Sequence, residues 1–315
     1  MGNIKIRESE PGDIPQIIEV LRASLGETSS KKTEEVWRYK HVENPFGKSL
    51  VLVAVENDII IGVRAFMRWK WQLGDRVLSS FRAVDTATHP KHQGKGVFKK
   101  LTLNAIDLAK EQGDDFIFNT PNTQSLPGYL KMGWVEVDKL RVRIILTKPL
   151  SWLNTKQSGT YKILNKSSDS QLAELISKYN KLKSGENKLF TLKSSEYLTW
   201  RYVNNPLQKY EVKGDEDFYL AGYIKKHKYF KELRITEHIY YNDSGLHKIN
   251  KAVKDFRKKF GVHIISSSGL SSGLGFFGNF GPVLTMRNVN LDLNLNQELL
   301  KLNNWSYTIG DLELF

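Results

Sequence analysis

Between a strand-like run, Val77–Thr88, and a periodic apolar run that begins at Val97 lies the turn Gln93-Gly94-Lys95-Gly96. A glycine-rich turn of this kind exposes several backbone N–H groups at the positive end of the following helix. Together these can hold a pyrophosphate. Lys95, Lys99 and Lys100 add positive charge. On its own a Gly-x-Gly turn more often makes a tight connection than a phosphate site. Asp85 stands on the strand before the turn, on the same face as Ala87 and opposite Thr86 and Thr88 by strand alternation. It could serve as a proton acceptor, or as a structural carboxylate paired with Arg82 or Lys91. His89 reads as a locally bonded turn residue and His92 as a solvent-facing one. No grouping of His, Asp and Glu has metal-ligand spacing, so no metal is expected.

The elements that must position these groups follow from periodicity. Residues 4–8 read as a strand. Asp13 offers an N-cap with Pro15 in the first turn, and Ile14, Ile17, Ile18, Leu21 and Leu25 follow at helical spacing up to Gly26. A second helix is expected over 34–40. Leu50–Glu56 and Ile59–Trp71 are strands joined by the turn Asn57-Asp58. After the glycine turn a helix runs to about Gly113. Phe116–Phe118 is a short buried strand, 123–132 a short helix, and Trp134–Thr147 an extended hairpin. Strand, glycine turn, helix and strand make a parallel crossover.

The stretch Val84-Asp85-Thr86-Ala87-Thr88-His89-Pro90-Lys91-His92-Gln93-Gly94-Lys95-Gly96-Val97 resembles the acetyl-CoA motif of the GNAT superfamily of N-acetyltransferases. Phe98 departs from it, standing where a small residue is usual. A second stretch carries Asn122, Ser125, Tyr129, Gly133 and Trp134 at spacings the same family shows. The resemblance covers roughly residues 3–147 and implies an α/β fold (α+β in arrangement) whose mixed central sheet has two parallel strands splayed apart, with acetyl-CoA between them. It implies donor contacts from Thr86, Ala87, Thr88, Gln93, Gly94, Lys95, Gly96, Val97, Phe98, Lys99, Asn122, Ser125 and Tyr129. It also makes Tyr129 the general acid toward the departing thiolate and Asp85 a candidate base.

The second half partly repeats the first. Glu35-Val36-Trp37-Arg38-Tyr39 with Asn44-Pro45 is echoed by Tyr197-Leu198-Thr199-Trp200-Arg201-Tyr202 with Asn205-Pro206. The expected organisation is therefore a catalytic GNAT domain over 1–149 and a degenerate GNAT-like α/β domain over 150–315, with a linker from Pro149 to Thr160. In the second copy the turn Tyr241–Leu246 lacks the Gln-Gly-Gly pattern and its lysines. This half is then expected to help bind the acceptor and complete the core. The segment from Gly269 to Gly281, interleaved with Phe276, Phe277 and Phe280, could cradle a phosphate, but reads rather as an aromatic wall of the acceptor site or a degenerate counterpart of the short helix. Residues 305–315 alternate like a closing strand.

The chain of 315 residues has no cysteine, which excludes disulfides, thiolate metal sites and a cysteine nucleophile. No apolar run approaches the roughly 20 residues of a membrane span, and a cytoplasmic protein is expected. The formal charge of +13 is spread along the chain without a nucleic-acid motif, and fits a solvated surface, or attraction of phosphate-bearing small molecules, better than nucleic acid. The expected activity is transfer of an acetyl group from acetyl-CoA to a primary amine, such as that of an amino sugar or a nucleotide-linked amino sugar. The alternatives are a tRNA-dependent aminoacyltransferase of related tandem fold and a non-catalytic acyl-CoA-binding protein.

Overall fold

The computed structural model describes residues 3–27, 31–147, 169–270 and 275–312. The expected linker 149–160 lies outside them. In chain order the first half gives β1 (Lys5–Glu8), α1 (Ile14–Leu25), α2 (Glu34–His41), β2 (Leu50–Glu56), β3 (Ile59–Leu73), β4 (Arg76–Thr88), α3 (Val97–Glu111), β5 (Phe116–Asn119), α4 (Leu126–Lys131), β6 (Val135–Lys139) and β7 (Val142–Leu146). The second half gives α5 (Asp169–Gly185), β8 (Phe190–Thr191), α6 (Ser195–Leu198), β9 (Glu211–Gly214), β10 (Phe218–Lys226), β11 (Lys231–Tyr240), α7 (Asp243–Phe260), β12 (Ile264–Ser267), β13 (Gly275–Gly278), β14 (Val283–Asn288), α8 (Leu293–Leu299) and α9 (Ile309–Leu312).

The strands of the described residues form two mixed sheets. One runs β1-β2-β3-β4-β5-β14-β6, with β8 added to β3, and the other β13-β7-β12-β11-β10-β9. Each contains one parallel pair, β4–β5 and β11–β12, joined through α3 and α7 respectively. Along the chain, β2-β3-β4-β5 matches β9-β10-β11-β12, and in each sheet the next two positions are filled by one borrowed and one native strand. β14 from the second half lies between β5 and β6, while β7 from the first lies between β12 and β13.

This exchange corrects two expectations. Trp134–Thr147 is not a hairpin, because β6 and β7 belong to different sheets. A cut at 149/150 does not separate the sheets either, since each holds a strand from the other side of it. The packing agrees. Trp69, Trp71, Phe116 and Phe118 of the first half share one core with Tyr197, Trp200, Tyr202 and Trp305 of the second. The repeated blocks meet there directly. The Tyr39 hydroxyl donates to the Trp200 carbonyl at 2.9 Å, the Trp200 indole donates to the Tyr39 carbonyl at 2.8 Å, and their rings stack at 4.9 Å. Neither half could expose these aromatics to water without forfeiting their burial.

Two further details differ from the sequence reading. Asp13 does not cap α1 with its side chain. It reaches back to the Glu10 N–H at 2.7 Å and to the Arg7 guanidinium. The described part of the expected closing strand is not a strand: Ile309–Leu312 forms a helical turn, pinned because Asp311 accepts from the Thr308 N–H and from Lys193.

Candidate active site

The site is built where β4 leaves β5. Their parallel pairing covers only Ser80–Arg82 against Phe116–Phe118. Beyond it the register between β3 and β4 shifts at Arg64/Ala65, leaving Asp85 as the extra residue of a bulge with φ 38°. A bulge redirects a strand and ends regular pairing, so Val84 and Asp85 both face inward while Thr86 faces the α3 side.

A left-handed backbone at a non-glycine residue needs support from its surroundings. Lys40 and His41 of α2 supply it. The Asp85 carboxylate pairs with the buried Lys40 ammonium and lies 3.0 Å from His41 Nε2, whose Nδ1 meets Ser49 Oγ at 2.9 Å. Burial alone would raise the Asp85 pKa, but Lys40 and His41 overcome it and hold the carboxyl well below the usual range. Burial lowers the His41 pKa in spite of Asp85. Asp85 is thus a counter-ion that fixes the bulge. Its partners are neither Arg82 nor Lys91, and its low proton affinity does not suit the base role expected of it.

On the other face, Thr86 and Tyr129 meet at a residue that the motifs did not single out. Arg64 of β3 is fully buried, and its Nη1 donates to the Tyr129 hydroxyl at 2.7 Å and to Thr86 Oγ1. Its Nε and Nη2 are buried without a hydrogen-bond acceptor. Instead, the guanidinium lies 4.5 Å from the Phe66 ring centre, 5.2 Å from that of Tyr129 and 5.9 Å from that of Phe98. Among the described residues no carboxylate pairs with it. Aromatic faces compensate only part of the desolvation of a guanidinium. Phe98 contributes one of those faces, and its ring also meets Tyr129 edge-on at 5.8 Å. The bulky side chain at this position therefore covers the arginine and steadies the phenol. The one signal in the sequence was a lone arginine in an otherwise apolar stretch of β3, Ile59–Phe66.

The glycine turn enters α3 in an open form. Gly94 and Gly96 have φ of 78° and 72°, and a Cβ added to either would meet nothing within 4 Å. Gly96 is the N-cap of α3 and no side chain caps the helix, so the first N–H groups of a 15-residue helix are available to an anion. Val97 packs against Gly62, where a Cβ would come within 2.7 Å of its methyl. Lys95 is less available than expected. Its ammonium lies 3.1 Å from Glu56, which also binds His92 at 2.9 Å, so His92 is not simply solvent-facing. Lys99 and Lys100, in the first turn of α3, are the remaining cations close to the helix start. Gln93 reaches back to the Thr88 carbonyl at 3.3 Å, and His89 accepts from the Lys91 N–H as a turn residue should. Ala87 lies in the shared core and Thr88 at the half-exposed end of β4.

Asn122 and Ser125 shape the start of α4. Asn122 Oδ1 accepts from the Gln124 and Ser125 N–H groups at 3.1 and 2.9 Å and from the Ser125 hydroxyl at 2.9 Å. The helix that follows carries Tyr129, whose ring packs against Trp134 at 5.0 Å. Elsewhere, Asp215, Glu216 and Asp217 form a carboxylate cluster of metal-ligand size. Lys248 already occupies it, at 3.0, 3.6 and 2.6 Å from the three.

Residues 5–137 match the sequence profile of the Acetyltransferase (GNAT) domain. They are a GNAT domain. No curated protein matches the chain significantly. Solved structures resemble this one far beyond the GNAT domain. A GCN5-related N-acetyltransferase from Anabaena variabilis is similar over 91% of this chain and 73% of its own, with a TM-score of 0.64 and 13% identity. A probable N-acyltransferase from Enterococcus faecalis gives the same coverage with a TM-score of 0.65 at 11% identity. Eis1 from Mycobacterium abscessus is similar over 95% of this chain and 76% of its own, with a TM-score of 0.57 at 10% identity. At these identities the likeness is one of fold, and it extends to the second sheet. Among the described residues no helix is long and apolar enough to cross a membrane.

Proposed function

We propose that the protein transfers an acetyl group from acetyl-CoA to a primary amine of a small molecule. The observation that carries this reading is the Tyr129 hydroxyl, held at 2.7 Å by a buried arginine beside the diverging end of β4. Because Arg64 donates to the phenol oxygen, the phenol's own hydrogen is left for another acceptor. The guanidinium also stands ready to balance charge left on that oxygen. Acetyl-CoA supplies the thioester. The N–H groups at the start of α3, with Lys99 and Lys100, receive its pyrophosphate, and the gap between β4 and β5 takes the pantetheine arm.

In the reaction the amine nitrogen forms a bond to the thioester carbon and the carbon–sulfur bond breaks. The amine gives up a proton to water. Tyr129 protonates the departing sulfur and recovers its proton from solvent, so amide and free thiol are the products. Asp85 acts at one remove, as the ion-pair partner that keeps the bulge and hence the gap in place.

The test is release of free CoA thiol from acetyl-CoA with a panel of primary amines, for the wild type and Tyr129→Phe. Amine-dependent release that collapses in the variant, with acetyl-CoA binding retained, supports the reading. Binding without release for any amine would leave the protein an acyl-CoA binder and refute it.

A further inference from the structure

A cavity of about 360 Å³ lies between the two sheets, on the side of the first sheet away from Tyr129. It falls within the roughly 300–1,000 Å³ range of small-molecule sites. Its position ties it to the gap. Thr120, the residue after β5, and Leu312 of α9 both line it. The Leu312 carbonyl accepts from Thr120 Oγ1 at 3.3 Å and from Arg82, the last residue of β4 to pair with β5. A molecule in this cavity therefore faces the point where the two parallel strands part, from the side opposite the phenol.

The walls are apolar: Leu140, Val142, Ile144, Ile264, Ile309 and Phe280, the last with more than half of its surface exposed at the rim. The polar groups among them are already engaged. Glu232 is bonded to His227 at 2.7 Å, to Arg234 at 2.9 Å and to Ser266. The Tyr307 hydroxyl accepts from the Arg141 N–H at 2.7 Å and donates to its carbonyl at 3.1 Å. The Pro282 carbonyl accepts from Leu140 N–H at 2.9 Å. A polyhydroxylated guest would surrender water at each hydroxyl and find few partners, at a cost of roughly 1–3 kcal/mol per unsatisfied group. An apolar guest loses nothing and gains burial.

We infer that the acceptor is a primary amine carried on an apolar body, aliphatic or aromatic, rather than an amino sugar. This rests on the acetyltransferase reading above. The apolar body fills the space between β7, β12 and α9, and the amine points past Thr120 into the gap. The rim phenylalanine covers the body from solvent.

The experiment compares kcat/KM for octylamine and 2-phenylethylamine with that for glucosamine and glucosamine 6-phosphate at saturating acetyl-CoA. Ile144→Asn and, separately, Val142→Asn place an amide in the wall, and acetyl-CoA binding is measured for each by calorimetry. The apolar amines are expected to lead by at least tenfold. Each wall variant is expected to raise their KM by at least fivefold with unchanged acetyl-CoA affinity. Preference for the sugar amines, or wall variants without effect on KM, overturns the inference while intact donor binding leaves the acetyltransferase reading standing. Failure to bind acetyl-CoA overturns both.

Discussion

The two sheets of this protein are built alike and equipped differently. Each has a central hairpin that bulges just past a short parallel pairing, at Asp85 in one and at Thr236 in the other. Each then crosses through a helix, but the helices begin in opposite ways. α3 starts at a glycine that leaves its N–H groups uncapped, whereas the Asn242 side chain caps α7 by accepting from the Gly245 N–H, with Asp243 in the first turn. An anion is invited at the first and meets a carboxylate at the second. Where the first half carries α4 and Tyr129, the second has the glycine- and phenylalanine-rich segment, and no described residue there repeats the tyrosine. Next to the second bulge Lys193 bridges Glu237 and Asp311, at 2.7 Å to each, in the buried interior. One strand geometry can thus make a cleft or a clamp. The residues at the helix start and beside the bulge decide which.

The sharpest way to break this contrast is to remove the group found only in the first half. Tyr129→Phe is expected to lower turnover by roughly 10²–10⁴-fold while acetyl-CoA affinity stays within a factor of three. Equal losses in binding and turnover would show that the phenol only supports the fold. Next in size is Asp85→Asn. It leaves Lys40 buried without its counter-charge, which typically costs about 3–5 kcal/mol, read by denaturant unfolding. The Asp85 pKa is depressed on folding, so its contribution is complete above the unfolded value of about 3.9. It disappears as pH falls through and below that value toward the folded one. The variant should therefore lose less stability on acidification than the wild type, and parallel pH curves would contradict the assignment.

Arg64→Met comes third. A hydrogen bond to a charged group contributes roughly 1.5–3 kcal/mol, and the variant should cost turnover accordingly. Combined with Tyr129→Phe it should add almost nothing, because the two groups act as a unit. Full additivity in the double variant would separate them. A last test belongs to the second half. Glu237 is pushed up to about 7 by burial, against the pull of Lys193. A carboxyl whose pKa rises on folding loses stability as pH increases from its unfolded value of about 4.3 through the folded one. Glu237→Gln should flatten that decline between pH 5 and 8 and leave donor binding untouched.

Much of this was legible in the sequence because it depends on local signals. The turn at Asn57-Asp58, the helix from Val97 and the open glycines at 94 and 96 follow from backbone preference and periodicity within a few residues. The duplicated block around Trp37 and Trp200 could be seen as well. What the sequence did not show is what distant segments supply. Asp85 looked available because its partners, Lys40 and His41, lie on α2, more than one strand earlier in the chain. Arg64 looked like any strand residue until Thr86 and Tyr129 were brought to it. The strand exchange was invisible for a related reason: β7 and β14 carry ordinary alternation, and nothing local says which sheet will take them.

The central claim is that the first turn receives the donor and its counterpart does not. Titration calorimetry with acetyl-CoA tests it most directly, on the wild type, Gly96→Asn, Gly96→Asp and Asn242→Asp. Asn and Asp both tolerate the left-handed backbone of position 96, so the pair differs in charge rather than in strain. Gly96→Asp is predicted to bind at least tenfold more weakly than Gly96→Asn, while Asn242→Asp binds like the wild type. Equal affinities for the two Gly96 variants, or a loss at Asn242→Asp instead, would contradict the claim.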